Sequence, residues 1–419
     1  MPTKKLDSIE HEEARHSGFE AVKLTDRVYW VGVVDWELRD FHGYQTLRGS
    51  TYNAYLILGS KPVLIDTVKA PYLTQMMARI SSVIAPSKIA YIVSNHAEMD
   101  HTGSLPRTIE LVQPEKVFAS AQGVKAIEAH FHLGLDIEIA KNGDVLELGD
   151  IRLKTLETKM LHWPDSMFSY IEGDGVLFSN DAFGMHLASA ARFTDQIDEA
   201  LLYEEAAKYY ANILMPFSKL VQALLAKLPS LDLDIEMIAP DHGPIWRGNL
   251  DKILHWYGTW SAQRPTKKAV VLYDTMWQST RKLALAVAEG LAEGGADPHV
   301  LPLSGVHRSD VAMQVLDAGA LAVGAPTMNN NLFPRMADVL TYLKGLRRQN
   351  LVAVAFGSYG WSGEAVKQIE SYLEAMKAEI LEDGFKVQYV PDAHALNQAR
   401  ELGRKLAARL LERIKEETE

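Results

Sequence analysis

The segment SNHAEMDHTG, residues 94–103, carries four side chains that can bind a metal ion. They are two imidazoles and two carboxylates, His96, Glu98, Asp100 and His101. The apolar run ahead of them predicts a strand that leads into a loop. Because side chains alternate along an extended chain, His96, Glu98 and Asp100 are expected to converge, with His101 turned toward a second position.

Three later segments also place a polar side chain at the end of a β-rich run. His162 follows the run IRLKTLET, Asp181 follows VLFSN, and His242 lies in IEMIAPDHG. A carboxylate directly after a buried strand needs a partner, because burying an unpaired charge is unfavourable. With the first segment, these residues make four histidines and three carboxylates. That set is enough for two metal ions that share one carboxylate.

Composition restricts the kind of site and the kind of partner. The 419-residue chain contains no cysteine, which excludes disulfides, cysteine-ligated iron–sulfur clusters and cysteine-based zinc sites. Any metal must be held by nitrogen and oxygen. A formal net charge of -11 argues against a nucleic-acid partner, which requires clustered Lys and Arg.

Hydropathy predicts a soluble protein without a membrane association. The chain is 47% hydrophobic and 23% charged, and no apolar run is long enough to span a bilayer. The N-terminal stretch MPTKKLDSIEHEEARHSGFE is charged and lacks the apolar segment of a secretory signal. We therefore expect a cytoplasmic location.

The two parts of the chain show different periodicities. Up to residue 260, short β-rich runs alternate with helical patterns such as 71–84 and 204–228, which predicts an α+β sandwich with largely antiparallel strands. After the polar, proline-bearing linker 261–268, five apolar strands alternate with helices, which predicts a parallel, doubly wound α/β sheet. The predicted domains are therefore 1–260 and 269–419.

Three loops of the second domain follow strands and are rich in hydroxyl, amide and glycine residues. The first, YDTMWQST, offers hydroxyls and backbone N–H groups at a helix N-terminus, which suit a phosphate monoester such as that of FMN. The other two resemble the flavin-flanking loops of flavodoxins. The candidate FMN-binding residues are Thr275, Met276, Trp277, Ser279, Thr280, Pro326, Thr327, Met328, Asn329, Asn330, Ser358, Tyr359, Gly360, Trp361, Ser362 and Gly363.

The order of the candidate ligands resembles that of a known family. The pattern H-x-E-x-D-H, a distant His, an Asp nineteen residues later and a late D-H-G are similar to the metallo-β-lactamase fold, an αββα sandwich. In the hydrolases of that fold the third motif position is normally a His, whereas here it is Glu98. A carboxylate there suits iron better than zinc. Joined to a flavodoxin-like domain, this pattern resembles the flavodiiron proteins.

The resemblance implies roles for individual residues. His96, Glu98 and His162 would bind one iron, and Asp181 would bridge to the second, whose ligands would be Asp100, His101 and His242. In some relatives the equivalent of His101 swings away from the metal. His42 and Tyr209 would line the diiron pocket and assist with protons. The remaining candidates are expected on surfaces or in packing, namely His130, His132, His186 and His255.

The resemblance also implies an activity and partners. The protein would reduce O2 to water, NO to N2O, or both, with FMN relaying electrons to two irons. The donor would be a separate rubredoxin-like protein or flavin reductase, because a fused rubredoxin needs cysteines. A head-to-tail homodimer, or a dimer of dimers, would bring one subunit's FMN to the other's irons. The alternatives are an NO-selective enzyme, a zinc-dependent hydrolase with an appended flavodoxin domain, and a non-catalytic flavin electron carrier.

Overall fold

The computed structural model describes residues 18–132 and 134–417 and divides into two compact units. Unit 1 takes its described residues from Met1–His42, Thr46–Tyr209 and Leu220–Tyr257. Unit 2 takes its described residues from Gly43–Gln45, Tyr210–Lys219 and Gly258–Glu419. The domain bounds 1–260, 261–268 and 269–419 stay predictions. Most of the N-terminal stretch used for the location, residues 1–17, lies outside the described residues.

The strands of the first part of the chain are short. Their bounds are β1 Val22–Lys23, β2 Val28–Trp30, β3 Val33–Asp35, β4 Asp40–Phe41, β5 Tyr44–Gln45, β6 Ser50–Tyr52, β7 Tyr55–Ile57, β8 Val63–Ile65, β9 Tyr91–Ser94, β10 Lys116–Ala119, β11 Ile137–Ile139, β12 Val145–Leu148, β13 Ile151–Glu157, β14 Met167–Ile171, β15 Val176–Phe178, β16 Met237–Ala239 and β17 Trp246–Arg247. Most consist of buried β-branched and aromatic residues, which favour extended backbone.

Two sheets of unit 1 pack face to face. The first has the order β1-β2-β7-β8-β9-β10-β11, and the second runs from β12 to β17 in sequence order. One buried cluster joins their inner faces, with Ile65 and Val93 from the first sheet and Phe178 and Ala239 from the second. The hydrophobic effect on these inner faces is what holds the two sheets together.

Most strand pairs of unit 1 are antiparallel, as predicted, although some are parallel. Strands β12 to β15 pair antiparallel, but β8, β9, β10 and β11 pair in parallel, as do β15 and β16. Parallel neighbours need long crossover connections, and helices supply several of them. Strand alternation alone does not distinguish the two kinds of pairing.

The helices of this part of the chain are α1 Leu73–Ser81, α2 Met99–Thr102, α3 Leu105–Val112, α4 Ala121–Phe131, α5 Glu199–Tyr209, α6 Ser218–Lys227 and α7 Leu250–Ala262. Helices α1, α3 and α4 cover the outer face of the first sheet. Helix α7 lies against the second sheet, where Trp256 contacts Trp246 of β17 with ring centroids 5.9 Å apart. The predicted αββα layering is therefore present.

The single helix suggested by the pattern over 204–228 is interrupted. Helix α5 ends at Tyr209, a π-helical turn covers Tyr210–Leu214, and a 3₁₀ turn covers Met215–Phe217 before α6 begins. Pro216 explains the break, because its ring clashes with the preceding turn and it has no backbone N–H to donate.

The rest of the chain forms a parallel sheet covered by helices. Its strands are β18 Lys268–Tyr273, β19 Asp297–Pro302, β20 Ala320–Met328, β21 Asn331–Leu332, β22 Val352–Tyr359, β23 Glu379–Ile380 and β24 Phe385–Gln388, and its helices are α8 Ser279–Glu293, α9 Arg308–Val315, α10 Pro334–Leu346, α11 Glu364–Ala375 and α12 Ala393–Glu416. The order β19-β18-β20-β22-β23 is parallel along its length, and β24 also pairs in parallel with β22, whereas the short β21 pairs antiparallel with β20. The chain therefore builds a doubly wound sheet, as predicted.

The fifth predicted strand of this sheet is shorter than predicted. The pattern over 386–391 predicts one strand, whereas β24 ends at Gln388, and β23 is an additional strand that lies within a span predicted to be helical. Helix α11 is also shorter than the predicted span 363–381, since it ends at Ala375 and Lys377 adopts a φ of 60°. Across residues 18–132 and 134–417, every helix is too short or too polar to traverse a bilayer.

Candidate metal centre and cofactor cleft

The seven predicted ligands are positioned by the ends of strands at one edge of the sandwich. Strand β9 ends two residues before His96, and β13 ends five residues before His162. Strands β15 and β16 are parallel, so Asp181 and His242 leave the second sheet at the same edge. Strand β13 is antiparallel to β14, which is antiparallel to β15, so His162 leaves at that edge too.

Four of the ligand candidates form a first group. Each residue offers one possible ligand atom, and these four atoms lie within 4.8 Å of one another. The residues are His96, Glu98, His162 and Asp181. His162 Nε2 is 2.8 Å from Asp181 Oδ2 and 3.3 Å from Glu98 Oε2. His96 Nε2 is 3.4 Å from each of the same two carboxylate oxygens. Two imidazoles and carboxylates in this arrangement are the donors that non-haem iron uses.

A second group contains Asp100, His101 and His242. His242 Nε2 is 3.2 Å from Asp100 Oδ2, and His101 Nε2 is 3.4 Å from Asp100 Oδ1. The expectation that strand alternation brings Asp100 to His96 and Glu98 is wrong. After Glu98 the chain turns into helix α2, which carries Asp100 and His101 together to the second group.

The carboxylate of Asp181 contacts both groups with different oxygens. Its Oδ2 faces His162 and His96, at 2.8 and 3.4 Å. Its Oδ1 faces His101 and His242, at 3.2 and 3.4 Å. The side chain is only 2% exposed. One buried carboxylate between two ligand groups is the geometry of a bridge between two metal ions.

The residues present fit a pair of cations. Within the described part of the chain, no hydrogen bond reaches His96 Nε2, His101 Nε2, either oxygen of Asp100 or Oδ1 of Asp181, although all are buried. Buried polar atoms are rarely left unsatisfied. Metal ions bound by these atoms would satisfy all of them at once, which identifies the site as a candidate dinuclear metal centre.

The pKa shifts of the site residues also favour bound metal ions. Burial lowers the pKa of His96, but the nearby carboxylates of Asp165, Asp181 and Glu98 outweigh it and raise this pKa well above its usual value. Burial likewise lowers the pKa of His101, while the charges of Asp100 and Asp181 raise it to about 9. Burial raises the pKa of Asp181, but the neighbouring histidines hold it well below its usual range. The pocket therefore favours positive charge, which metal ions would supply.

The structure also shows ligand-supporting groups that the sequence did not reveal. Asp165 Oδ2 lies 3.1 Å from His96 Nδ1, and the Thr51 carbonyl oxygen lies 2.7 Å from His242 Nδ1. Asp241 Oδ2 lies 3.7 Å from His101 Nδ1. The two acids were visible as the Asp of LHWPDS and of APDHG, but nothing in either motif states which imidazole it meets.

The two predicted pocket residues differ in exposure. His42 Nε2 lies 3.4 Å from Glu98 Oε1, and its side chain is 75% exposed. Tyr209 is buried, and its ring centroid is 5.1 Å from that of His186 and 6.1 Å from that of His242. Burial raises the pKa of the Tyr209 hydroxyl well above its usual value, with a further contribution from Asp181, so this hydroxyl stays protonated.

One discounted histidine lies beside the centre. His186 is buried, its ring centroid is 4.7 Å from that of His242, and its Nδ1 is 2.8 Å from Ser50 Oγ. A surface or packing role is predicted for it, and the structure shows it packed against a candidate ligand. Burial, with the nearby His242, lowers the pKa of His186 well below its usual value, so it is neutral. His132 and His255 are exposed, and His130 packs 6.3 Å from the ring of Trp163.

The three loops of unit 2 enclose a cleft of about 570 Å³. Thirteen of the sixteen predicted residues line it, together with two that the sequence analysis missed. The lining is Met276, Trp277, Ser279, Pro326, Thr327, Met328, Asn329, Asn330, Ser358, Tyr359, Gly360, Trp361, Ser362, Tyr389 and Val390. The two additions follow β24, which ends at Gln388, whereas the sequence pattern predicted that the strand continues through both residues.

Three predicted residues lie behind or beside the cleft lining. Thr280 is buried, and its Oγ1 is 2.8 Å from Ser358 Oγ, so it joins the first loop to the third. Thr275 donates its backbone N–H to Asp274 Oδ1 at 2.8 Å. Gly363 is the residue before helix α11. None of the three is part of the lining.

The cleft suits a flat ring with a phosphate. Helix α8 begins at Ser279, after Gln278 at a φ of 68°, so free backbone N–H groups face the first loop. Trp277 and Trp361 are 89% and 83% exposed, and large apolar faces are seldom left uncovered without a partner. No acidic side chain is in the lining to repel a phosphate. The residues therefore fit FMN.

Two family descriptions match separate parts of the chain. Residues 51–243 match the family described as ODP family beta lactamase, and residues 271–403 match flavodoxin.

Individual relatives cover nearly the whole chain. The nitric oxide reductase of Moorella thermoacetica is 45% identical over 93% of this chain and 98% of its own length. The structure of the rubredoxin oxygen:oxidoreductase from Desulfovibrio gigas is 41% identical, with a TM-score of 0.92 over 94% of this chain and 100% of that one. The flavodiiron protein from Giardia intestinalis is 33% identical, with a TM-score of 0.91 over 95% and 98%. The metallo-β-lactamase-like and flavodoxin-like folds are thereby confirmed.

Proposed function

The chain belongs to the flavodiiron proteins, and on that premise we propose that it reduces O2 to water, NO to N2O, or both. It is an oxidoreductase whose cofactors are FMN and a non-haem diiron centre. The names of its relatives include both a nitric oxide reductase and an oxygen oxidoreductase, so the preferred gas is left for experiment.

The observation that carries this proposal is the position of Asp181. Its two oxygens lie 2.8–3.4 Å from imidazole nitrogens of two separate ligand groups. A mononuclear hydrolase or a simple electron carrier has no use for a buried carboxylate shared in this way. The proposed ligands are His96, Glu98 and His162 on one side and Asp100, His101 and His242 on the other.

Glu98 supports iron over zinc. It occupies the position at which the hydrolases of this fold carry a histidine, and it adds an anionic oxygen donor to the first group. Carboxylates suit harder metal ions that cycle between oxidation states. When bound, the two irons together with reduced FMN would supply the electrons that the reduction of a diatomic gas requires.

The residues around the centre can manage the protons. His42 Nε2, at 3.4 Å from Glu98 Oε1, is exposed enough to exchange protons with solvent and hold one beside the metal pocket. The hydroxyl of Tyr209 stays protonated because it is buried, so it can donate a hydrogen bond inside the pocket. Both residues are proposed as proton-handling groups for the reaction.

The loops of unit 2 would hold FMN. The first loop and the N-terminus of α8 would receive the phosphate, and Trp277 and Trp361 would cover the faces of the isoalloxazine ring. Bound there, FMN would supply the electron relay between an external donor and the irons. The chain has no cysteine for a rubredoxin centre of its own, and the relative from Desulfovibrio gigas is named for rubredoxin. We propose a separate rubredoxin-type protein or flavin reductase as donor.

The assembly and location are also proposals. The ligand groups belong to unit 1 and the cleft to unit 2. We propose a head-to-tail homodimer, or a dimer of dimers, in which one subunit's flavin serves the other's irons. We propose a cytoplasmic location, since the chain lacks the cysteines that an oxidising compartment would favour. We expect neither a nucleic acid nor a membrane as a partner.

The deciding experiment measures gas consumption directly. Iron-loaded, FMN-loaded protein is reduced anaerobically with an artificial donor, and O2 and NO consumption are followed separately with electrodes. Rapid consumption of either gas supports the proposal and identifies the substrate. An Asp181→Asn variant, loaded in the same way, serves as the control and should lose most of this activity. If the wild type holds iron and FMN but consumes neither gas, the reductase proposal is wrong.

A further inference from the structure

Asp165 is a buried acid that no predicted role accounts for. It lies three residues after His162, in the loop between β13 and β14, and only 2% of its side chain is exposed. Its Oδ2 accepts the backbone N–H of Ala97 at 2.6 Å and lies 3.1 Å from His96 Nδ1. One oxygen therefore contacts both the ring of a candidate ligand and the backbone next to it.

We propose that Asp165 is the positioning residue of the first metal site, where it orients His96 and ties the His96 loop to the His162 loop. This inference rests on the proposed ligand set. The Asp165 oxygen already accepts the N–H of Ala97, so it acts as an acceptor, and His96 must donate from Nδ1. The proton on Nδ1 leaves Nε2 free for the metal, and a carboxylate partner strengthens an imidazole ligand.

The loop that carries Asp165 is itself held in place. Ser120 Oγ donates to the backbone carbonyl oxygen of Asp165 at 2.7 Å, and the Thr158 N–H donates to the Ser166 carbonyl oxygen at 2.9 Å. The ring centroids of His96 and His162 lie 5.3 Å apart. Because Asp165 and His162 share this loop, one carboxylate sets the distance between the two imidazoles of the first group.

Among the residues that the structure describes, no carboxylate lies within hydrogen-bond distance of the Nδ1 of either imidazole in the second group. The Nδ1 of His242 faces a backbone carbonyl oxygen, that of Thr51, at 2.7 Å. The Nδ1 of His101 lies 3.7 Å from Asp241, which is longer than a hydrogen bond. Loss of Asp165 should therefore affect one iron and not the other.

The test compares iron retention in two Asp165 variants and one control. Asp165→Ala should hold one iron about 10- to 100-fold less tightly than the wild type and keep the other. Asp165→Asn keeps an acceptor oxygen without the charge, so its iron affinity should lie between those of the wild type and Asp165→Ala. Asp174→Asn is the control, because this acid, whose side chain is 9% exposed, pairs with Arg27 at the far end of β15 and touches no candidate ligand. Iron loss to a chelator and the Mössbauer spectrum of ⁵⁷Fe-loaded protein are measured.

The expected spectrum has one altered iron component and one unaltered component in Asp165→Ala. An unchanged spectrum with wild-type iron retention would overturn the proposal. So would equal loss of both irons with a fall in Tm, because that result shows a general loss of stability.

A second measurement does not depend on iron. In ¹H–¹⁵N NMR of histidine-labelled, metal-free protein, the Nδ1-bound proton of His96 should give a downfield, slowly exchanging signal in the wild type and lose both properties in Asp165→Ala. If the wild type failed to bind two irons, the proposed function would be wrong, while this hydrogen-bond measurement would still decide the role of Asp165.

Discussion

At the residue scale, the chemistry depends on carboxylates that are buried against histidines. Asp181 and Asp100 could not stay ionised in an apolar interior without positive neighbours, and the imidazoles of the two groups supply them. Metal ions would take over that role once bound. Burying these charged acids costs folding free energy when no metal is bound, but the same burial makes them strong ligands for a bound metal ion.

Tyr209 provides a residue-scale prediction. The Tyr209→Phe variant should keep both irons, since its ring still packs against His186 and His242. Turnover should fall by about 100-fold, because a proton-donating hydroxyl is lost from the pocket. Gas-electrode rates and iron content are measured on the same preparation.

The neighbouring tyrosine is a matched control for that variant. Tyr210 is also buried, but its hydroxyl lies 3.1 Å from Ser218 Oγ. Tyr210→Phe should therefore retain near-wild-type turnover. Unchanged turnover in Tyr209→Phe would remove this residue from the proton-handling groups.

At the element scale, the ends of strands bring distant segments together. In unit 1, parallel pairing of β15 and β16 puts the loops of Asp181 and His242 at one edge. In unit 2, β18, β20 and β22 are parallel, so the three cleft loops follow their carboxyl ends. Ligands of open α/β sheets bind at that edge.

Thr280 tests whether the contact between two cleft loops matters. Thr280→Val removes the hydroxyl that lies 2.8 Å from Ser358 Oγ and keeps the side-chain shape. We expect the Kd for FMN to rise about 3- to 10-fold, the usual effect of losing one hydrogen bond. FMN fluorescence quenching by the apoprotein measures it. Thr341→Val, which removes an exposed contact with Tyr372 on a helix surface, should leave the Kd unchanged.

Glycines set the close packing of α8 against α12. A Cβ on Gly290 would overlap the carbonyl oxygen of Arg400, and one on Gly403 would overlap that of Val287. Gly290→Ala should therefore force the helices apart and destabilise unit 2 by about 1–3 kcal/mol. Thermal unfolding measures the change.

The control for that substitution is another helical glycine. Gly345 lies in α10, is exposed, and has open space where a Cβ would go. Gly345→Ala should raise stability by about 0.5–1 kcal/mol, because alanine loses less conformational entropy in a helix. If both substitutions changed Tm in the same direction, close packing would not explain the Gly290 effect.

At the scale of the whole molecule, electron transfer requires the flavin to meet the irons. The two sites belong to different units of the chain. We propose that a head-to-tail dimer brings the flavin of one subunit to the irons of the other. Turnover per chain should then fall on dilution as dimers dissociate, together with the mass measured by light scattering. A monomer that keeps full activity would rule out the dimer as the active form.

A mixing experiment tests directly whether electrons pass between the subunits of the dimer. Asp181→Asn should disable the irons, and Ser358→Trp should fill the cleft and exclude FMN. In a head-to-tail dimer, random mixing of the two inactive variants should restore about a quarter of wild-type activity, because half the dimers are mixed and each holds one working pair. Electron transfer within one chain predicts no recovery.

The sequence by itself determined the donor set and the kinds of layers. Alternating and continuous apolar runs predicted both sheet systems, and the polar residues after those runs identified all seven candidate ligands and most of the cleft lining. These features are local, because period and residue type can be read within a short window. Pro216 was equally visible, yet the break it causes between α5 and α6 was missed.

Tertiary structure decided which donors meet. Glu98 stays with His96, while Asp100 moves to the second group because the chain turns into α2 between them. Asp165 reaches His96 across a separation of 69 residues, and the fourth cleft loop, with Tyr389, depends on how β24 pairs. Such contacts arise from the packing of distant strands, and a short window of sequence contains no information about that packing.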